Sequence, residues 1–194
     1  MNPSSSTGDI AIYIKSSHLN SVEKTAVADL VAHADHEFIP PLSSRSSTTQ
    51  QRLDLTIDSS QTASTDAYCR ELETQSFVFA VASGDTATAK ENIIAFLSYR
   101  PHTTLFDRKR PLSHYVSTII VDPHYRGQGV AQRLYNALFA IADEQGVSVS
   151  TRTWSTNNAH IALLKKNHFN LITTIPNDRG EGLDTVYYER QNQH

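Results

Sequence analysis

Ile119-Ile120-Val121-Asp122-Pro123-His124-Tyr125-Arg126-Gly127-Gln128-Gly129-Val130-Ala131 is the stretch whose reading decides the fold. Its first residues close the apolar run Tyr115 to Val121, which predicts a strand, and Pro123, lacking an amide donor, ends it. From about Gly129 to Gln145, Val130, Ala131, Leu134, Tyr135, Leu138 and Ala142 recur at i, i+3 and i+4 spacing, which predicts an amphipathic helix stopped by Gly146. Glycines between a strand and a helix permit close backbone approach, and first-turn N–H groups with the helix dipole favour an anionic diphosphate. Arg126 adds a charge-assisted contact. Two common nucleotide loops do not fit: a dinucleotide fingerprint counted from Gly127 needs Gly or Ala where Gln132 stands, and the Gly-Lys-Ser/Thr ending of a Walker loop is absent.

The segment resembles the acetyl-CoA loop of the GNAT superfamily of N-acetyltransferases, whose pattern Arg/Gln-x-x-Gly-x-Gly/Ala is filled by Arg126, Gly129 and Ala131. The preceding residues are similar to the family's strand-Val-x-Pro-x-Tyr-Arg-Gly-x-Gly run. Downstream, Asn157-Asn158-Ala159-His160-Ile161-Ala162-Leu163-Leu164-Lys165-Lys166-Asn167-His168-Phe169 resembles its Asn-led helix ending in Gly-Phe. The likeness runs from about Phe77 to Phe169 and is looser before.

Outward from this centre the pattern alternates strands with helices. Ile10–Lys15 reads as a strand, followed by a helix capped at Asn20 or Ser21, with Val22, Ala26, Leu30 and His33 at helical spacing, that ends near Phe38 before Pro40-Pro41. Residues 42–65 are rich in Ser, Thr and Gln, relieved only by Leu53-Asp54-Leu55-Thr56-Ile57, and read equally as a passive connection or a substrate lid. A short helix from Asp66 to about Gln75 precedes two apolar runs, Phe77–Ala82 and Asn92–Tyr99, that flank Ser83-Gly84-Asp85 as a hairpin. Ser148–Trp154 is a strand, Asn157 or Asn158 caps a helix to about Asn167, and Phe169–Ile175 and Asp184–Glu189 are the last strands. The resulting expectation is an α/β (α+β) GNAT-like fold: a mixed, mostly antiparallel sheet of about seven strands flanked by about four helices. A length of 194 residues suits one domain, with residues 1–9 a flexible start.

Composition narrows the partners. Lys and Arg total 17 against 20 for Asp and Glu, with no dense basic block, which argues against nucleic acid or a membrane surface as partner. No stretch approaches the roughly 20 apolar residues of a bilayer span, and no export signal is visible. Cys69 is the only cysteine, which excludes an internal disulfide and suits a cytoplasmic setting. His33 and His36 match no zinc motif and lack a third ligand, so no metal is expected. Oligomeric state stays open, a homodimer included.

The resemblance implies direct transfer from acetyl-CoA to an amine acceptor. It assigns the diphosphate to the amides of Arg126, Gly127, Gln128, Gly129, Val130 and Ala131, the pantetheine arm to the backbone edge near Ile119 and Val121, and a further contact to Asn157, which also suits a helix cap. An alkylamine near pKa 10 must lose a proton before it attacks, and Glu37, with Asp35, and Tyr115 are candidates for that task. The tyrosine that many family members use to protonate the departing thiolate is replaced by Leu164, and His168 stands where they carry Gly. His160, one turn from Leu164, and Tyr187 on the last strand are the substitutes. The missing tyrosine also supports a rival reading, an acyl-CoA-binding sensor without turnover.

Overall fold

The structure, a computed structural model, describes residues 9–16, 18–45, 47–48, 64–83, 92–104 and 112–193. The Leu53 to Ile57 run, most of the 42–65 connection, the Gly84-Asp85 turn and nearly all of the polar start lie outside the described residues. Among these residues the chain forms β1 (Ile10–Lys15), α1 (Ser21–Ala34), α2 (Asp66–Leu72), β2 (Ser76–Ala82), β3 (Asn92–Thr103), β4 (Ser113–Val121), α3 (Val130–Glu144), β5 (Ser148–Trp154), α4 (Asn158–Lys166), β6 (Asn170–Ile175) and β7 (Thr185–Arg190). The strands build one seven-stranded sheet in the order β1-β2-β3-β4-β5-β7-β6. Only β4 and β5 run parallel.

Both faces of the sheet are covered, which is why β2 and β3 are continuous apolar runs rather than alternating ones. On one face α3 and α4 bury Leu134, Leu138 and Leu164 against Val78, Leu97, Val116 and Val149. On the other, α1 and α2 bury Val27, Val31, Tyr68 and Leu72 against Phe77, Phe79, Phe96 and Ile120. Each fully buried large apolar side chain contributes roughly 1.5–3 kcal/mol.

Helix α1 starts with a capping box: Asn20 Oδ1 accepts the Glu23 amide at 2.9 Å, and the Glu23 carboxylate accepts the Asn20 amide at 2.7 Å. Its buried face is Val27, Leu30, Val31 and Ala34, which corrects the expected stripe, since Val22 and His33 are exposed and Ala26 is half-buried. Two apolar stripes at helical spacing share Leu30, and the sheet beneath selects the one that continues into Ala34. The helix gives way to a 3-10 turn, Asp35–Glu37, ahead of Phe38. Asp35 is buried and accepts from the Ser43 amide (2.6 Å) and hydroxyl (2.8 Å), so it fastens the following turn.

One irregularity organises the centre of the sheet. Ser98 pairs with Thr118 and Tyr99 with Val116, so Ser117 is an extra residue in β4, a bulge. The β4–β5 register runs from Ser113↔Ser148 to Val116↔Thr151 and stops there. Beyond it β4 continues to Val121 and β5 to Trp154 without pairing to each other. A bulge bends and over-twists its strand, and this one sits where the two strands part.

Candidate active site

The parted strands enclose a cavity of about 530 Å³. Its walls include Ser117 to Val121 of β4, Thr151 to Trp154 of β5, and Asn157, His160 and Leu163 around α4, with Gly127, Gly129, Val130 and Ala131 at its mouth. Ile119 and Val121 lie on the β4 edge that β5 leaves unpaired.

The mouth is built by backbone conformation. Gly127 and Gly129 have φ of 74° and 78°, left-handed values that cost a residue with a Cβ on the order of 1–2 kcal/mol. A Cβ at either would meet nothing within 4 Å, so the glycines answer to φ and to the open space in front of them. Gly129 precedes α3 without any side-chain cap, leaving the helix N-terminus to an incoming anion. Upstream, Asp122 accepts the His124 amide at 2.8 Å and Pro123 opens a short 3-10 turn, which reverses the chain from β4 into the loop.

Arg126 Nε donates to Val121 O at 3.0 Å and its Nη2 to Glu37 at 2.9 Å, bridging the loop to the end of α1. Both partners of this ion pair are substantially exposed and both line the cavity. Gln128 turns away: its amide nitrogen donates to His124 O at 3.0 Å and it is not part of the wall. Asn157 caps α4 by accepting the His160 amide at 3.3 Å while donating to Thr153 Oγ1 at 3.0 Å, so its cap is formed inside the cavity wall.

His160 Nε2 lies 2.9 Å from Tyr135 Oη, tying α4 to α3. Burial pushes its imidazole down to about 4, so it is neutral at neutral pH. Leu164 is fully enclosed in the core, and His168 occupies the left-handed position, φ 60°, that follows α4. That conformation explains why a glycine suits the site: Phe169 N reaches back to Leu164 O at 3.1 Å only if the chain turns left-handed there.

Tyr115 and Tyr187 are brought together on the face opposite α3. Both are buried, and Tyr187 Oη accepts from Arg152 Nη1 at 3.3 Å across the β5–β7 pair. Burial pushes the Tyr115 hydroxyl up to about 12, despite the nearby Arg152 charge, which makes it a proton donor at neutral pH. Of the four proposed proton handlers, Glu37 and His160 line this cavity, while Tyr115 and Tyr187 stand next to its wall residues Val116 and Arg152 and are not themselves part of the lining.

Sequence reasoning missed the residues at the far end apart from Arg179. Arg152, Phe38 and Trp154 line the cavity, and Arg45 and Arg179 stand behind the two rings. Arg179 reads from sequence first as a hairpin-loop residue and second as an acceptor-site contact, and it crosses to donate to Ile39 O. Arg45 is a lone arginine in a serine-rich run, a context with no local signal. The β4 bulge is equally silent in the sequence.

Residues 46–169 match the acetyltransferase (GNAT) family, and the chain belongs to it. No curated protein matches the sequence. Among solved structures, the fold is similar to Arabidopsis thaliana NAA60 in complex with a bisubstrate analogue (TM-score 0.65, 14% identity, 94% of this chain and 99% of that one). It is also similar to an N-acetyltransferase from Staphylococcus aureus Mu50 (TM-score 0.62, 17% identity, 95% and 99%) and to yncA of Salmonella typhimurium with acetyl-CoA (TM-score 0.60, 18% identity, 95% of each). The expected GNAT-like α/β sheet with its flanking helices is thus the fold observed. No helix among the described residues is long and apolar enough to cross a membrane.

Proposed function

We propose that residues 1–194 act as one cytoplasmic N-acetyltransferase unit that moves the acetyl group of acetyl-CoA directly to an amine of a small molecule, peptide or protein. The observation that carries this reading is the parting of β4 from β5 beyond Val116 and Thr151, directly behind two left-handed glycines at a helix N-terminus. Membership of the acetyltransferase family supports it. The amides from Arg126 to Ala131 suit the diphosphate, and the free edge at Ile119 and Val121, with Asn157 opposite, suits the pantetheine arm.

In the reaction the amine lone pair attacks the thioester carbonyl, a C–N bond forms, the C–S bond breaks, and the amine proton leaves as the thiolate gains one. Amides on the unpaired β4 edge, Val121 foremost, suit the developing oxyanion. Tyr187 Oη accepts from Arg152, and burial keeps the neighbouring Tyr115 hydroxyl protonated, so we assign this pair the thiolate proton. Glu37 is assigned the amine proton, through water. His160, neutral and bonded to Tyr135, is assigned the placement of α4.

Released thiol measured with acetyl-CoA and a broad amine panel tests the reading. Leu164, sealed in the core where a catalytic tyrosine is absent, favours the sensor as second reading. Stabilisation of the protein by acetyl-CoA with no thiol release from any amine would select it, and no stabilisation at all would remove both.

A further inference from the structure

Three arginines from distant parts of the chain cluster beside the far end of the cavity, where Arg152 lines the wall and Arg45 and Arg179 stack on two of its rings. Arg45 follows the first 3-10 turns, Arg152 lies on β5, and Arg179 lies in the β6–β7 link. The Arg45 guanidinium stacks over Phe38 and that of Arg179 over Trp154, each 5.8 Å from the ring centre. The two rings are themselves 5.8 Å apart. A guanidinium–ring–ring–guanidinium layer therefore closes this end, with Phe38, Trp154 and Arg152 in the wall.

The hydrogen bonds made by Arg45 and Arg179 go to neutral acceptors. Arg45 Nε and Nη2 donate to Pro40 O at 2.9 and 2.6 Å, while Arg179 donates to Ile39 O and, at 3.0 Å, to Thr185 Oγ1. Arg45 Nη1 and Arg179 Nη2 have no hydrogen-bond partner among the described residues. Neither is sealed in the core, because the buried unpartnered side-chain atoms among those residues belong to His114 alone.

Two carboxylates face this cluster. Asp35 already accepts from Ser43, and Asp178 accepts from Thr185 Oγ1 at 2.7 Å. Burial first, and then the neighbouring arginine charges, push Arg179 down to about 10; burial and Arg152 lower Arg45 as well. Stapling two backbone carbonyls needs donors and not full charges, and a buried charge is expensive unless an anion meets it. A guanidinium fork fits a carboxylate bidentately.

We propose that Arg45, Arg152 and Arg179 form an anion subsite for the acceptor, so that the amine acetylated by this protein carries a carboxylate. Phe38 and Trp154 supply the apolar walls for the carbon skeleton between the two groups. The inference rests on the N-acetyltransferase reading and deepens it.

The test uses the full chain with acetyl-CoA and matched acceptor pairs: amino acids against their amides, and peptides beginning with Asp or Glu against those beginning with Asn or Gln. The expected result is a kcat/KM at least tenfold higher for the carboxylate member of one pair type, which also tells a free amino acid from an acidic peptide terminus. Arg179→Gln and Arg45→Gln should shrink that ratio toward one, Arg179→Lys should restore part of it, and the acetyl-CoA-dependent thermal shift should persist in all three. Turnover that is equal within every pair overturns the subsite while the transferase reading stands. A drop shared equally by both members of a pair overturns it too, because it leaves the arginines only the task of pinning the Ile39–Pro40 turn. If no amine is turned over, the same pairs are compared by thermal shift with CoA bound, and equal shifts overturn it there. Absence of any acetyl-CoA shift in the unsubstituted protein is the distinct failure of the reading on which the subsite rests.

Discussion

The two ends of the cavity are made in different ways. The loop end comes from one continuous stretch, Val121 to Val130, in which each residue type answers a local need: proline to stop a strand, glycines for left-handed φ, a bare helix N-terminus for an anion. The far end is assembled from Phe38, Arg152 and Trp154, with Arg45 and Arg179 stacked on the two rings, and these residues meet only because the 3-10 turns after α1, β5 and the β6–β7 link converge. A site written in backbone conformation tolerates almost no substitution at its glycines. A site written in side chains from separate segments can be remade without disturbing the fold, so the far end is free to change while the loop end stays as it is.

The sharpest break in that contrast is Gly129→Val. A β-branched side chain at φ 78° strains the turn and projects into the space in front of the loop, where nothing of the protein lies within 4 Å. Acetyl-CoA affinity measured by calorimetry should fall at least a hundredfold, about 2.7 kcal/mol, while the circular dichroism of the folded sheet is retained. Unchanged affinity would mean that the anion does not bind at this turn.

Next in size is the pH response of the wall between the two ends. Burial holds His160 at about 4 in the folded protein, against 6.5 for a free imidazole. Between those values the unfolded chain binds the extra proton, so this contribution is complete above pH 6.5 and is lost as pH falls toward 4. The loss should be on the order of 2 kcal/mol, somewhat below full linkage because the ring is only partly enclosed. Urea unfolding at several pH values should show a flatter acid limb in His160→Gln. An unchanged limb would assign the acid response to carboxylates instead.

The same contrast separates what the sequence makes readable from what it hides. The seven strands, the four helices and the glycine loop follow from periodicity, caps and glycine placement, all local signals. The α1 stripe was misplaced because two apolar stripes at helical spacing share Leu30 and only the sheet beneath distinguishes them. The Ser117 bulge left no signal, since one extra residue in a β-branched run changes neither composition nor length. Arg45 gives no signal because its run of serines has no local pattern, and the partners of Arg179, Ile39 and Trp154, lie far away in sequence, where pattern reading along the chain cannot join them.

A smaller effect is expected at the hinge between α4 and β6. His168 carries a Cβ at φ 60°, where glycine is unstrained, so His168→Gly should raise stability by about 1 kcal/mol, with glycine's larger unfolded-state entropy trimming the gain. Thermal unfolding reads it, and because the side chain is exposed and outside the cavity wall, the acetyl-CoA shift should not move.

The smallest expected effect falls where the two ends touch. Glu37 belongs to the turn after α1, yet its carboxylate is 2.9 Å from the Arg126 guanidinium of the loop. An exposed ion pair of this kind stabilises by no more than about 1 kcal/mol, so its loss should hardly move the folding midpoint. Its effect on function has two signs that can be told apart. If Glu37 only competes with the diphosphate for Arg126, Glu37→Gln should tighten acetyl-CoA binding about two- to fivefold at low salt, with the gain fading as salt screens both interactions. If it also takes the amine proton through water, kcat should fall in the same variant and recover as pH rises and the free amine becomes abundant. Tighter cofactor binding with kcat unchanged would leave Glu37 as a cofactor-side gate and pass the base to solvent, whereas a pH-dependent fall in kcat would make this one residue the place where the loop and the acceptor pocket act together.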